Sequence, residues 1–279
     1  MIVTPSVCQR WRDRHPSFLP DRDYFNPLGF EVFEFADDAT PKAFVERHHY
    51  SATYPAARFR FGLHQRFVGL AGVAVFSVPM HPAVLAPWTM RDAVELGRLV
   101  LLDEVPANAE SWFVRRCLNL LALKGLAGVV SFSDPEPRTT TDGGLVFIGH
   151  AGVCYQATNA TYAGRASPRT LRLLPDARSF SARAASKIRS RERGWEYAVA
   201  QLVAQGATAP AADEDLRAWL PRELERVTRT VRHYGNHRYL WGLTPGAQKM
   251  LPAGSPYPKL DLRACVDHPR LHPTCARAA

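Results

Sequence analysis

The sequence has few cysteines and lacks any long uncharged apolar run. Its five cysteines are odd in number and scattered, which argues against a disulfide framework and for a reducing compartment. No apolar run approaches the length that crosses a bilayer. Residues 1–20 contain no apolar core and are interrupted by arginines, so a signal peptide is not expected. We therefore predict a soluble, cytoplasmic protein with no membrane partner and no obligate protein partner.

Several common catalytic motifs are also missing. The chain has no G-x-G-x-x-G, P-loop, H-E-x-x-H or G-x-S-x-G sequence, which excludes the nucleotide, metalloprotease and hydrolase sites that are built on them. Methyltransferases that act on exocyclic amines of bases are expected to carry a tetrapeptide of the Asn/Asp-Pro-Pro-Tyr type. The two nearest sequences, at 26–29 and 134–137, lack the aromatic residue, so this class is excluded as well.

Positive charge is abundant instead. The formal net charge is +9, and residues 165–193 hold nine Lys or Arg against two acidic residues. A basic, helix-forming run with aromatic neighbours is typical of a surface that contacts phosphates, although a solvated arginine-rich surface is the alternative. We predict double-stranded DNA as the partner, bound through Arg165, Arg169, Lys187, Arg189 and Arg191.

The spacing of apolar residues predicts an α/β protein. With 279 residues, of which 46% are hydrophobic, the chain is long enough to bury one large core. Alternation predicts strands at 29–35, 58–63, 67–78, 94–103 and 127–132. Helical spacing predicts helices at 40–50, 109–124 and 150–157. The strand, helix and strand at 94–132 favour a ligand site at the carboxyl end of the last strand.

The second half of the chain is predicted to be more helical. Helical patterns cover 181–193, 195–204 and 213–232, with short strands at 170–174 and 236–243. We predict four ranges: an N-terminal extension at 1–28, a catalytic core at 29–175, a basic helical DNA-binding extension at 176–243, and a loosely ordered tail at 244–279.

The tail contains residues of the types that bind metals, namely Cys265, His268, His272 and Cys275. Four ligands within eleven residues would require a very tight loop. A chance cluster is therefore favoured over a zinc site, and the metal requirement is left open.

Polar residues gather at a predicted helix end and along the predicted strand at 94–103. His48, His49, Tyr50 and Ser51 can supply acid, base and hydrogen-bonding groups, although histidine is also common at helix C-termini. A second group lies near the following helix, whose free N–H groups attract anions or carbonyl oxygens, with ordinary helix capping as the alternative. This group consists of Glu95, Arg98, Asp103, Asn108, Glu110 and Ser111.

Two further groups follow the fifth predicted strand. Alternation places Ser131 and Ser133 on one face, with Asp134 at the end of the strand, where an Asp before Pro also caps loops. His150, Tyr155 and Asn159 come next. If residues 155–162 are helical, Tyr155 and Asn159 share one face and suit adenine, which needs an aromatic stack and a bidentate amide. A half-buried aromatic stripe is the alternative.

Taken together, these motifs resemble the Mom-like family of phage and mobile-element DNA-modification proteins, which are related to the GNAT acyltransferase fold. The matching sequences are HHYS (48–51), ELGRLVLLDEVPANAES (95–111), SFSDP (131–135), GHAGVCYQATNATYAG (149–164) and the basic runs at 169–175 and 183–194. The resemblance implies a GNAT-like mixed sheet flanked by helices. It also implies modification of the exocyclic N6 amine of adenine in DNA, with a carbamoylmethyl-type product that protects DNA against restriction.

The resemblance implies a role in the modification reaction for several of the candidate residues. Asp134 or His49 would be the general base, and Tyr155 and Asn159 would hold the base. Ser133 and Tyr50 would orient the acceptor or donor, and Arg98 would pair with Glu95 or contact an anionic group.

An acyl-CoA donor is also implied by the resemblance. The glycine-rich pyrophosphate loop of ordinary GNAT enzymes is missing, however, and residues 104–110 stand in its place. An acyl-CoA would have to use the N–H groups near Glu110 and nearby arginines. Two other functions stay open: a non-catalytic DNA-binding protein of a mobile element, and a GNAT-like acyltransferase that acts on a small amine or a protein.

Overall fold

The computed structural model describes residues 7–20, 25–79, 81–147 and 149–259. These residues form two compact units. Unit 1 comprises the described residues within Met1–Pro135, Ile148–Ala166 and Asn236–Ala279, and unit 2 comprises Glu136–Phe147 and Ser167–Gly235. The boundaries of these two units differ from those of the four ranges predicted from the sequence. Residues 236–243, for example, were placed in the basic extension, but they join the central sheet of unit 1.

Unit 1 contains a short N-terminal hairpin, a seven-stranded sheet and four α-helices among its described residues. Its strands are β1 (Val7–Arg12), β2 (His15–Pro20), β3 (Phe30–Glu34), β4 (Ala57–Gln65), β5 (Gly69–Ser77), β6 (Ala93–Leu101), β7 (Gly128–Ser133), β10 (Thr161–Arg165) and β14 (His237–Gly242). Its helices are α1 (Ala39–His48), α2 (Ala109–Leu123), α3 (Val153–Ala157) and α7 (Pro245–Lys249).

The sheet has the strand order β10-β14-β7-β6-β5-β4-β3 and is antiparallel except where β6 pairs with β7. Helices cover both faces, and alternation along β5 shows why. Val73 and Val75 pack with Val45 of α1, whereas Ala74 and Phe76 belong to the core cluster that α2 covers. The predicted fold class, a mixed central sheet flanked by helices, is confirmed.

The parallel contact between β6 and β7 is short. It runs only as far as the pair Leu96 and Ser131. Beyond it, β6 continues beside β5 with an extra residue at Gly97, and β7 continues beside β14. A Cβ atom on Gly97 would lie 2.6 Å from Ser77 Oγ, so a larger residue at the bulge would force the Ser77 side chain to move. The two strands therefore separate and leave a wedge next to the second half of β6.

Unit 2 combines strands and helices around its own apolar core. Its strands are β8 (Arg138–Thr139), β9 (Leu145–Phe147), β11 (Arg169–Leu173), β12 (Ser179–Phe180) and β13 (Arg229–His233). Its helices are α4 (Ala182–Ser190), α5 (Trp195–Val203) and α6 (Leu216–Val227). The three helices pack around Trp219, which is fully buried and donates from Nε1 to the Thr208 carbonyl at 2.9 Å.

The prediction of one helix over 213–232 is wrong in its second half. Helix α6 ends at Val227, and residues 229–233 pair with β11 instead. The predicted DNA-binding extension is therefore not wholly helical.

The predicted tail at 244–279 is not loosely ordered throughout. Its first described residues form helix α7, which Thr244 caps through a hydrogen bond from the Ala247 N–H to Thr244 Oγ1. The remainder of that tail, from residue 260, lies outside the described residues, as do its two cysteines and two histidines.

A buried carboxylate ties the helices of unit 2 to the loop before α6. Glu223 is 2% exposed and accepts from the Thr208 N–H at 2.9 Å, from Arg226 Nη2 at 2.6 Å and from Arg222 Nε at 3.1 Å. Burial would raise the pKa of Glu223, but the hydrogen bonds from Arg226, Thr208 and Arg222 outweigh it and lower the pKa to about 2.

We expect Glu223→Gln to destabilise the protein in a pH-dependent way. A pKa that is lowered on folding stabilises the folded state above its ordinary value of 4.5, and this stabilisation is lost as the pH falls towards about 2. At pH 7 the variant should lose roughly 1.5–3 kcal/mol of unfolding free energy in urea, the usual range for hydrogen bonds to a charged group. The exposed neighbour Glu225→Gln is the control. An equal loss at pH 3 would show that charge is not the cause.

Candidate functional site

The wedge beside β6 is part of a cavity of about 310 Å³, here called the main cavity, that lies wholly in unit 1. Its walls come from the second half of β6, Phe132 of β7, the end of α1, the start of α2, residues 150–157 and the N-terminal hairpin. Of the fourteen catalytic and substrate-binding residues predicted from the sequence, eight line it: His49, Tyr50, Arg98, Asn108, Glu110, Ser111, His150 and Tyr155.

His49 follows the last residue of α1 and is almost fully buried. Burial lowers the pKa of its imidazole well below the ordinary value, with the charges of Arg98 and His150 acting in the same direction. The Ser51 N–H donates to His49 Nδ1 at 3.1 Å, so Nδ1 accepts and the proton of the neutral ring lies on Nε2. This tautomer favours a hydrogen-bond donor over the predicted general base.

Ser51 supports the ring rather than lining the cavity. Its Oγ lies 2.8 Å from His49 Nδ1, and it accepts from Thr53 Oγ1 at 3.2 Å. Tyr50, by contrast, is a wall of the cavity. Its ring is stacked on His49, with centroids 4.2 Å apart and planes inclined by 30°. The end of α1 therefore presents stacked aromatic rings to the cavity.

Arg98 supplies the main positive charge. Its guanidinium donates to the Thr53 carbonyl at 2.9 Å, to Thr53 Oγ1 at 2.6 Å and to the Gly97 carbonyl at 2.5 Å. All three acceptors are neutral, and among the described side chains no carboxylate forms an ion pair with Arg98. Burial raises the pKa of nearby Glu95, while the charge of Arg98 opposes that rise. Glu95 does not line the cavity. A guanidinium that lines a cavity and forms no ion pair with a described carboxylate favours an anionic or carbonyl-bearing ligand.

The first turn of α2 carries the carboxylate side chain of Glu110. A helix N-terminus that binds an anion would instead present only its free backbone N–H groups there. Glu110 forms an ion pair with the buried Arg10, and Ser111 Oγ donates to the Asn108 carbonyl at 3.0 Å. The loop before it, residues 104–108, contains no glycine, and Asn108 adopts a left-handed φ of 68°. These residues do not fit the diphosphate of an acyl-CoA. Asp103 immediately precedes this loop and does not line the cavity.

Asp134 does not reach the main cavity, contrary to its predicted role as the general base. Asp134 and Ser133 are buried behind the wall. The adjacent wall residue is His150, whose N–H donates to the Asp134 carbonyl at 2.8 Å. Burial lowers the pKa of His150 to about 4, and the charge of Asp134 opposes this. A neutral imidazole influenced by a buried carboxylate therefore stands where a carboxylate was predicted.

The predicted helical face shared by Tyr155 and Asn159 does not exist. Helix α3 ends at Ala157, Asn159 adopts a left-handed φ of 59°, and Tyr162 lies on β10. Asn159 lines a second cavity of about 230 Å³ together with Arg115. The two side chains were expected to hold one base, and they line different cavities. The reason is that the helix is only five residues long.

Tyr155 lines the main cavity and is also part of the core. It is 5% exposed, and its ring meets those of Tyr239 and Trp241 edge-on, each with centroids 5.4 Å apart. The alternative interpretation, an aromatic stripe that packs inside the protein, therefore describes most of its contacts.

Sequence reasoning missed the two cavity-lining residues that come from the N-terminal hairpin. Arg10 and Trp11 of β1 line the main cavity. The sequence around them shows only tryptophan among arginines, which gives no signal of the fold that brings them there.

The predicted DNA-binding residues are divided between the units. Arg165 ends β10 in unit 1, and Arg169, Lys187, Arg189 and Arg191 lie in unit 2. Except for Lys187, which is half-buried, these side chains are exposed. Arg191 lies over the ring of Trp195, 5.6 Å from its centroid.

Neither a metal centre nor a membrane span is found in the part of the chain that the structure describes. No group of three or more His, Cys, Asp or Glu side chains there could hold a metal ion. None of the described helices is long and apolar enough to cross a membrane.

Comparison with known proteins gives one family and several distant structures. Residues 31–259 match the model of the Mom protein family, and no curated protein matches. A GNAT family N-acetyltransferase from Escherichia coli in complex with CoA is 16% identical over 40% of this chain and 68% of that chain, with a TM-score of 0.32. A tandem GNAT protein from the clavulanic acid biosynthesis pathway is 8% identical over 77% of this chain and 99% of that chain, with a TM-score of 0.40. At such scores these likenesses do not establish a shared activity.

Proposed function

This chain belongs to the Mom protein family, and we propose that it is a transferase that modifies the exocyclic N6 amine of adenine in DNA. The observation that carries the proposal is convergence. Four separate stretches that resemble the family, at 48–51, 95–111, 131–135 and 149–164, all contribute residues to one cavity or to the shell directly behind it. Residues that served only to cap four unrelated helices and loops would not need to meet.

The chemistry of the wall suits a transfer to an amine. The reaction forms a bond between N6 and an electrophilic carbon of a donor. The donor's leaving group departs with its electron pair, and N6 loses one proton. Arg98 would stabilise the negative charge that develops on the donor. His150 is neutral at pH 7 and would accept the proton, aided by the charge of Asp134. His49 would donate a hydrogen bond from Nε2.

The base must leave the duplex for this to happen, because N6 lies on the groove edge of a stacked base pair. A cavity of about 310 Å³ is at the small end of ligand sites, which suits one base and a small donor group. The stacked rings of Tyr50 and His49 offer a flat partner for the base. A plain DNA-binding protein would have no use for such a cavity.

Affinity for DNA is assigned to the basic segment, residues 165–193, through its exposed arginines and the half-buried Lys187. Unit 2 holds fourteen Lys or Arg and ten Asp or Glu, a balance of +4. Several of these arginines are neutralised within the unit, for example Arg222 by Glu214 and Glu223. Lys187, Arg189 and Arg191 form no ion pair within the described residues, so their charge is available for phosphates.

We expect the triple variant Lys187→Ala, Arg189→Ala, Arg191→Ala to bind duplex DNA with a weaker salt dependence. Each phosphate contact contributes roughly 0.9 to the slope of log affinity against log salt, so the slope should fall by up to about three units. Arg222→Ala, which removes a neutralised charge, should leave the slope unchanged. Equal slopes for the wild type and the triple variant would remove this segment from the interface.

Restriction endonucleases test the proposal in a host that expresses the protein. Plasmid from that host should resist cleavage at sites that contain adenine and should be cut normally at sites made only of G·C pairs. Plasmid from a host without the protein is the reference. Cleavage of every adenine-containing site as in the reference, or equal resistance at G·C sites, would contradict adenine modification.

A further inference from the structure

The N-terminal hairpin, β1 and β2, lies outside the residues that match the Mom family model, yet it forms a wall of the main cavity. We infer that Trp11 of this hairpin is a substrate-contacting residue that stacks on the planar group in the cavity. This inference rests on the proposed function, which makes that group a purine base. It adds a residue that the family match does not include.

The hairpin is held to both ends of the cavity. On one side, the Arg14 N–H donates to the His48 carbonyl at 3.0 Å, and Arg47 Nε donates to Asp13 Oδ1 at 3.0 Å. The Asp13 N–H also donates to His48 Nδ1 at 3.3 Å. These contacts fix the hairpin against the end of α1, immediately before the two rings that line the cavity.

On the other side, Arg10 fixes the hairpin to the start of α2. Arg10 is 1% exposed and donates from Nη2 to the Val105 carbonyl at 3.0 Å and the Pro106 carbonyl at 2.8 Å. It also forms the ion pair with Glu110. A deeply buried guanidinium needs such partners, and those bound through its two terminal nitrogens closely determine its position. Arg10 is thus a positioning residue for its neighbour Trp11.

Trp11 adds a third ring at the end of α1. Its ring centroid lies 4.9 Å from that of Tyr50 with the planes inclined by 43°, and Tyr50 in turn is stacked on His49. The three rings form one aromatic surface beside the guanidinium of Arg98, and all four residues line the same cavity. An aromatic surface next to a fixed cation is an arrangement that recognises a flat, polar heterocycle better than an aliphatic chain.

The test compares Trp11→Ala and Trp11→Phe with a control on the same strand. Arg12 is exposed and pairs with Glu104, and it does not line the cavity. Loss of a base-stacking ring typically lowers affinity roughly five- to hundred-fold. We expect Trp11→Ala to lower the modified fraction of adenine at least five-fold. Trp11→Phe should retain most of it, because a smaller ring can still stack, and Arg12→Ala should match the wild type.

A binding measurement separates this inference from the proposed function. Two single-stranded thymine oligonucleotides serve as probes, one with a single central adenine and one without. The adenine-containing probe should quench the tryptophan fluorescence of the wild type more than the adenine-free probe does. In Trp11→Phe that difference should shrink by at least half.

Each outcome then has one meaning. If the wild type modifies no DNA, the proposed function fails, and the quenching difference alone decides the role of Trp11. If the wild type modifies DNA but Trp11→Ala does so equally well, Trp11 does not contact substrate. If Trp11→Ala and Trp11→Phe both lose activity and both show the same lowered midpoint of thermal unfolding, Trp11 is a packing residue and the inference is overturned.

Discussion

The variant Arg98→Gln is expected to lose at least 99% of the modification that the wild type carries out. Arg98 is the main cation of the cavity wall, and only neutral oxygens of Thr53 and Gly97 bind it. Its charge is therefore available to a donor on which negative charge develops. Removing one preorganised electrostatic group of this kind typically costs about 10²–10³-fold in rate. The modified fraction of adenine in host DNA, normalised to protein level, measures the loss.

Two companion variants distinguish charge from structure. Arg98→Lys keeps the cation but cannot reproduce the fork of three hydrogen bonds, so an intermediate rate is expected. Thr53→Val removes the acceptor at 2.6 Å and leaves the guanidinium in place, so it should retain most of the activity. If Thr53→Val is as inactive as Arg98→Gln, the role of Arg98 is to hold the loop at Thr53.

The second large effect concerns folding. Tyr155→Ala is expected to destabilise the protein by about 3–5 kcal/mol, the range for removing a large buried ring. Its ring packs edge-on against Tyr239 and Trp241 at the centre of unit 1. Tyr155→Phe keeps the ring and should leave the unfolding free energy in urea within about 1.5 kcal/mol of the wild type.

Asn159→Ala is the matched test of the corrected site. Because Asn159 lines the second cavity, this variant should keep full modification and lose only the cost of a left-handed alanine, about 1–2 kcal/mol. If a folded Asn159→Ala protein loses modification, the Asn159 amide does recognise adenine, as the sequence predicted. If Tyr155→Ala is stable but inactive, the main role of the Tyr155 ring is to bind the base and not to pack in the core.

Local sequence patterns were sufficient for most of unit 1. The hairpin of β4 and β5, the strand β6 and the helix α2 were predicted within a few residues, because alternation and helical spacing are local properties of the chain. Strand β13 was not predicted. Its sequence RTVRH continues the pattern of α6, and only pairing with β11, almost sixty residues earlier, makes it a strand.

The candidate site was predicted in part for a similar reason. Motif residues such as His49 and Arg98 could be selected by type and order, but their meeting in one cavity depends on the separation of β6 and β7. Asn159 was misplaced because a helix of five residues gives the same i, i+4 spacing as a longer one. Trp11 was missed because its contact with Tyr50 joins residues 39 positions apart in sequence.

The most direct test of the central claim is mass spectrometry of the nucleosides in host DNA. DNA from a host that expresses the wild-type chain should contain a deoxyadenosine derivative of higher mass, with the added group on N6. That species should be absent without the protein and reduced at least a hundred-fold with Arg98→Gln. Deoxyadenosine alone in the wild-type sample, at a protein level that gives DNA binding, would contradict the account and leave a DNA-binding protein.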